Sequence, residues 1–311
     1  MSALPVIIDT DPGIDDTLAL YLALNSPELD VRGIAVSYGT TTVEQAYRNA
    51  VEILRRGGKR ARLAVGARRP LTRALEAARE RHGDSGLGYA PLPPAGVILD
   101  FVRPLERLLA EQPAPVTLLT LGPLTSLALA LGREPDLVRA KVGRHVAMAG
   151  SLAAPGTATA VAEFNAWCDP EALARVLAAE LPTAMVGLDV TRQVALAAAE
   201  VGALGASEQP LGRWLFEALR FSLEFHRAHE GLEGCLVHEV LPVVALIEPE
   251  AITFAPARVA VGRDEDDRGR TREAADGAAA LVASAVNVDA VRALLAERVL
   301  AWASAPLGVG A

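Results

Sequence analysis

The stretch Leu4-Pro5-Val6-Ile7-Ile8-Asp9-Thr10-Asp11-Pro12-Gly13-Ile14-Asp15-Asp16 joins a short apolar run to a turn holding four carboxylates within eight residues. A continuous apolar run of this length reads as a strand buried on both faces, the usual state in a parallel sheet. From about Asp15 the pattern turns helical, with Leu18, Ala19 and Leu22 on one face. Strand, turn and helix recur downstream. Residues 31–37, 62–65, 116–121, 145–148 and 183–188 read as strands. Helical spacing covers Ala46, Tyr47, Ala50, Val51 and Leu54 behind a capping box at Thr41-Thr42-Val43-Glu44, and also 97–109, 124–131 and 170–179. This alternation predicts an α/β fold, a doubly wound, mostly parallel sheet with helices on both faces.

Two stretches break the rhythm, 66–94 and 149–165, and both read as long loops of the kind that carry function. Beyond Asp189 the chain becomes helical, with a core stripe of Trp214, Leu215, Ala218, Leu219 and Leu223 over 211–227. Strands at 258–262 and from Thr271 flank Asp264-Glu265-Asp266-Asp267, which reads as a solvated hairpin turn. A last helix covers 291–302. With no internal repeat and no linker, residues 1–311 are expected to form one domain.

Composition narrows the function. Of the 311 residues 51% are hydrophobic and 22% charged, which excludes a disordered or collagen-like chain. A net charge of −8 argues against nucleic acid and anionic membrane as partners. Two cysteines, Cys168 and Cys235, are too few for a disulfide framework and suit a reducing, cytoplasmic setting. The first residues lack the basic region of a signal peptide, and the longest uncharged run, 112–132, is broken by prolines and Gly122.

The carboxylate turn is the strongest chemical signal. It sits at the carboxyl end of the first strand, the edge where open α/β sheets bind ligands. Four anions in one turn repel unless a hard cation intervenes, and oxygen-only ligands suit calcium or magnesium. Helix capping accounts for Asp15 and Asp16 but not for Asp9 and Asp11. A haloacid-dehalogenase-type reading of Asp9-Thr10-Asp11 is disfavoured by Gly13, which stands where a hydroxyl or Val belongs, and by the second Asp pair.

The turn resembles the signature of the inosine/uridine-type nucleoside hydrolases. The resemblance extends through the His82-Gly83 loop, Gly122-Pro123-Leu124-Thr125, Met148-Ala149-Gly150, Ala162-Glu163-Phe164-Asn165, Asp169-Pro170-Glu171-Ala172, Leu188-Asp189-Val190-Thr191 and Val237-His238-Glu239. It implies calcium-dependent hydrolysis of the N-glycosidic bond of ribonucleosides in nucleoside salvage, by a homodimer or homotetramer. It also implies roles. Asp11 is metal ligand and general base; Asp16, Glu239 and the Leu121 carbonyl are further metal ligands, with Asp9 in support. Asp15, Glu163 and Asn165 take ribose hydroxyls, and Met148 lies beneath the sugar. Thr40, Thr157 and His82 complete the substrate contacts. His238 is the acid for the leaving base, with His229 or His82 as substitutes. Phe225, His226 and His229 are candidates for the base pocket.

The chain departs from that pattern at Thr40 and Thr157, where the family has amides, and at Ser126 and Glu239. The departures bear on substrate more than on chemistry. Two other readings stay open: hydrolysis of another, modified or cofactor-derived N-riboside, and a calcium-containing ribose-binding protein without turnover.

Overall fold

The computed structural model describes residues 2–93 and 104–305. Eleven strands are present among them: β1 (Leu4–Thr10), β2 (Leu29–Val36), β3 (Leu63–Val65), β4 (Val116–Thr120), β5 (Val142–Ala147), β6 (Thr183–Met185), β7 (Ala195–Ala197), β8 (Gly234–Leu236), β9 (Ile252–Val261), β10 (Thr271–Glu273) and β11 (Ala278–Val286). Nine form one sheet in the order β10-β9-β11-β6-β5-β4-β1-β2-β3, and β7 pairs with β8 apart from it. The run from β11 through β6, β5, β4, β1 and β2 to β3 is parallel throughout. Within this sheet, among the described residues, antiparallel strand pairing is confined to β9, with β10 and β11, and the separate β7–β8 pair is antiparallel too.

β1 is the switch point of this order. The chain builds β2 and β3 on one side of it, then crosses to β4 on the other. The apolar residues of β1 alternate between two cores, as a central strand requires. Val6 and Ile8 join a cluster with the 14–25, 210–230, 240–247 and 288–295 helices. Ile7 joins the opposite cluster, with helices over 105–110, 125–133 and 170–178. The 14–25 helix is buried nearly all round, which explains its lack of a polar face.

Several expectations are corrected in detail. The cap of the second helix is Thr42, whose Oγ1 accepts the Gln45 N–H at 3.4 Å, so the helix begins one residue later than the Thr41…Glu44 spacing implied. Val51 is 42% exposed and Ile53 takes the core position, because the apolar stripe drifts round a helix of 14 residues. Of the helix expected over 97–109 the described part runs Leu105–Ala110; 97–103 lie outside the described residues. A helix at Pro135–Lys141 had no apolar stripe to announce it; only Val138 is buried. The first long loop contains a short helix, Arg79–His82, and the second ends in another, Phe164–Cys168. The acidic run is indeed the turn between β9 and β10, and Arg73 meets Glu265 there at 2.8 Å. The last helix is a longer rod, Val288–Leu295, a π-helical turn over Ala296–Ala301 and a final turn Trp302–Ser304.

Candidate active site

The carboxyl ends of β1, β2, β4 and β5 open into one cleft, on the side where the strand order switches. Eleven of the thirteen residues given a catalytic, metal or sugar-contact role above line it: Asp11, Asp15, Asp16, Thr40, His82, Met148, Thr157, Glu163, Asn165, His238 and Glu239. They come from seven separate segments of chain, so their convergence is a property of the fold and not of any one motif.

Asp11 sits in a socket. Its Oδ2 accepts the Thr40 N–H at 2.5 Å and the Thr40 hydroxyl at 2.9 Å. A Cβ at Gly39 or at Gly122 would collide with the same carboxyl, so the backbone closes on it from two loops. Burial raises the Asp11 carboxyl to about 6, against the pull of the two Thr40 bonds. Thr40 therefore faces the cleft as expected, but its hydroxyl proton serves Asp11 and not the substrate.

Asp16 caps its own helix, accepting the Gly13 N–H at 3.1 Å and the Thr10 hydroxyl at 2.5 Å. Asp15 accepts the His238 N–H at 3.2 Å and lies against Glu239. Burial opposes the Asp15 charge, yet the Glu239 bond, His82 and His238 hold Asp15 below the usual carboxylate range while Glu239 is driven well above it. Asp9 lies behind the cleft. Its Oδ1 accepts from Ser126 at 3.3 Å, its Oδ2 has no partner, and burial lifts it to about 8. The Leu121 carbonyl also lies behind the lining and accepts from Asn165 Nδ2 at 2.7 Å.

This donor set fits a hard cation. Asp9, Asp11, Asp15, Asp16 and Glu239 make no ion pair among the described residues, and buried oxygens of Asp9 and Glu239 are orphaned. Among the described residues no three acidic, His or Cys side chains already close into a metal cage. The carboxylates are turned instead to Thr10, Thr40 and one another.

Glu163 spends its carboxylate on backbone. It accepts N–H bonds from Gly150, Asn165 and Ala166 at 2.7–2.9 Å, capping the 164–168 helix and tying the 149–163 loop to it. Burial still raises it to about 7. Asn165 donates both to Leu121 O and to Met148 O at 3.1 Å, which leaves its Oδ1 toward the cleft. Thr157 Oγ1 accepts the Phe164 N–H at 3.1 Å.

Four histidines were candidates for the base end. His238 is buried, pushed down to about 4 by desolvation, and bonded through Nδ1 to Thr191 Oγ1 at 2.8 Å, while its Nε2 has no partner. His82 Nδ1 accepts the Ile14 N–H at 3.3 Å. His226 lines the cleft, but His229 and Phe225 do not. They stack on each other at 4.6 Å, with His229 exposed. Ala78, Arg81, Phe164, Leu188, Ser222 and Leu236 also line the cleft. Arg81 carries no spacing signal in the sequence, and only its place beside His82 points to it.

The sequence matches the family model described as "Inosine-uridine preferring nucleoside hydrolase" over residues 6–293. It is 38% identical to the pyrimidine-specific ribonucleoside hydrolase RihA of Citrobacter koseri over 264 residues, 83% of this chain and 84% of the relative. The fold is similar to a plant nucleoside hydrolase, PpNRh1, with a TM-score of 0.88, 32% identity and coverage of 97% and 99% of the two chains. It is also similar to the purine-preferring ribonucleoside hydrolase from Gardnerella vaginalis, with a TM-score of 0.88, 27% identity and coverage of 96% and 99%.

Proposed function

The chain belongs to the inosine-uridine preferring nucleoside hydrolase family, an enzyme family of N-glycosidases, and from that premise we propose how its own residues work. The reading is hydrolysis of a ribonucleoside to ribose and free base, with calcium as the metal. The observation that carries it is the socketed Asp11, one carboxylate oxygen saturated by Thr40 and the other facing a cleft rich in hydroxyl acceptors.

Asp11, Asp16 and Glu239 would hold the ion, with the Leu121 carbonyl, and Asp9 behind them. Bound there, calcium supplies Lewis acidity toward water. Asp11 takes the proton of the attacking water through Oδ1. Asp15 and the Asn165 Oδ1 accept ribose hydroxyls, and Met148 closes beneath the ring. Glu163 keeps the 149–163 loop and the 164–168 helix in register around the sugar. His238, held neutral by burial, offers Nε2 toward the departing base. Charge builds on the ribose as the base leaves, and the surrounding carboxylates stabilise it.

The same reading makes residues 1–311 one domain, since strands from both ends of the chain share one sheet. It places the enzyme in the cytoplasm, on the two buried free thiols, and makes it a homodimer or homotetramer. No helix among the described residues is long and apolar enough to cross a membrane.

The test is release of free base from a panel of ribonucleosides, with calcium and after exhaustive chelation. Turnover with calcium and its loss on chelation are expected. Ligand-induced thermal stabilisation without product would mean a binding protein, and turnover only on a modified riboside would move the substrate class.

A further inference from the structure

Two of the motifs singled out in the sequence, Gly122-Pro123-Leu124-Thr125 and Asp169-Pro170-Glu171-Ala172, meet behind the cleft without lining it. Asp169 is fully buried at the junction of the 164–168 and 170–178 helices. Its Oδ1 accepts the Ala172 N–H at 3.0 Å, which caps the second of these helices. Its Oδ2 accepts the Leu71 N–H at 2.8 Å and the Thr125 hydroxyl at 2.7 Å. A carboxylate only accepts, so the Thr125 proton is spent on Asp169 and Thr125 Oγ1 is left as an acceptor. The Tyr38 hydroxyl, 2.8 Å away, fills that place. Tyr38 is fully buried, and burial pushes its phenol far above the ordinary range, so it keeps the proton it donates. The result is one directed chain of hydrogen bonds from Tyr38 through Thr125 to Asp169.

That chain ties down the two loops that close on Asp11. Tyr38 stands next to Gly39 and two residues before Thr40, whose N–H and hydroxyl both bond Asp11 Oδ2. Thr125 stands three residues after Gly122, and a Cβ at Gly39 or at Gly122 would strike the Asp11 carboxyl. A Cβ at Gly39 would also strike Pro123, so the two loops press on each other there. Tyr38 is held besides by its N–H, bonded to the Ala67 carbonyl at 3.0 Å, and by packing with Ala67 and Cys168. Loss of its hydroxyl leaves both in place and cuts the tether to Thr125.

We propose that Tyr38, Thr125 and Asp169 are positioning residues for the hydrolysis, a buried relay that seats Gly39 and Thr40 on Asp11 and so aims the oxygen that faces the cleft. The proposal rests on the hydrolase reading above, in which Asp11 takes the proton of water. Helix capping accounts for the bond from Ala172 to Asp169, but not for two hydroxyls aligned on the other carboxylate oxygen.

The experiment uses the full chain with calcium and the ribonucleoside it turns over fastest. Tyr38→Phe and Thr125→Val should each lower kcat by about tenfold, the weight of one buried hydrogen bond, with KM within a factor of about three. Thr125→Ser should restore kcat. Tyr38→Phe combined with Thr40→Val should fall well short of the product of the two single losses, because both act through the same carboxyl. The seating is also read without turnover, from hydrogen exchange of the calcium-free protein. The Thr40 amide should exchange about tenfold faster in Tyr38→Phe, while amides of the 210–230 helix keep their wild-type rates. A purely structural relay lowers the melting temperature and leaves kcat and Thr40 exchange unmoved; that result overturns the proposal, as do losses that multiply in the double variant or a change confined to KM. Tyr38→Phe, which loses a single oxygen, carries the test where Thr125→Val does not fold. Where no ribonucleoside is cleaved, the hydrolase reading fails separately and exchange decides. Faster exchange confined to Thr40 and its neighbours supports the relay, and unchanged or uniformly faster exchange overturns it.

Discussion

Asp11 has one free oxygen because Thr40 occupies the other, and this division of labour is measurable. Asp11→Asn should cost at least the roughly 10²–10⁴-fold in kcat of a lost general base. Thr40→Val removes the hydroxyl donor and keeps the N–H. It should lower kcat by about tenfold with little change in KM or melting temperature, and Thr40→Ser should restore it. A rise in KM alone would return Thr40 to the sugar contacts. His145 is a second exposed test at this scale. It is fully buried between Thr120 at 3.0 Å and Thr183 at 3.1 Å, and burial pushes it down to about 3. The unfolded chain protonates His145 near pH 6.5, so between those values it binds the extra proton. Stability attributable to His145 is complete above about pH 6.5 and is lost as pH falls toward 3. Between pH 6.5 and 5 the protein should lose about 2 kcal/mol more than His145→Gln in urea titrations. Parallel curves for the two proteins would show that the ring is not held neutral.

At the scale of elements, the 149–163 loop is pinned by a residue outside the cleft. Asp189, in the Leu188–Thr191 turn that follows β6, accepts N–H bonds from Leu152, Ala153 and Ala154 at 2.7–3.0 Å. Asp189→Ala should free the loop and raise KM by about tenfold while kcat stays within a factor of about three. Equal falls in kcat would show that the loop enters the chemistry. The loop also shows what was legible in the sequence. Asp9 to Asp16 could be placed because a local pattern fixes a strand end and a helix start, whereas Leu121 and Glu163 to Asn165 could be placed through their resemblance to the family's motifs. The work of Asp189 and Thr40 could not, because it depends on which loops meet in space. Thr40 looked like a sugar contact until the fold set it against Asp11, and Arg81 drew no notice until three segments closed round it. The antiparallel addition of β9 and β10 was half visible, as two strands about an acidic turn. Its joining to β11 at the edge of a parallel sheet was not, since strand partners leave no mark in a single chain.

The molecule as a whole gathers buried acids at the centre of its sheet, so metal and stability are linked. Saturating calcium should stabilise the fold by about 2.7 kcal/mol at a hundred times its dissociation constant, and exhaustive chelation should lower the melting temperature. An unchanged melting temperature would place the ion elsewhere or nowhere. The outer rims of the sheet behave differently from its centre. β10 and β3 are three residues long, β10 presents Arg272 and Glu273 outward, and Arg60 and Arg62 precede β3. Short charged rims offer a foreign strand almost no ladder to extend. The native protein should therefore resist fibril growth at high concentration, and replacing Arg272 and Glu273 with Ile and Val should make it seed thioflavin-positive aggregates under conditions where wild type stays clear.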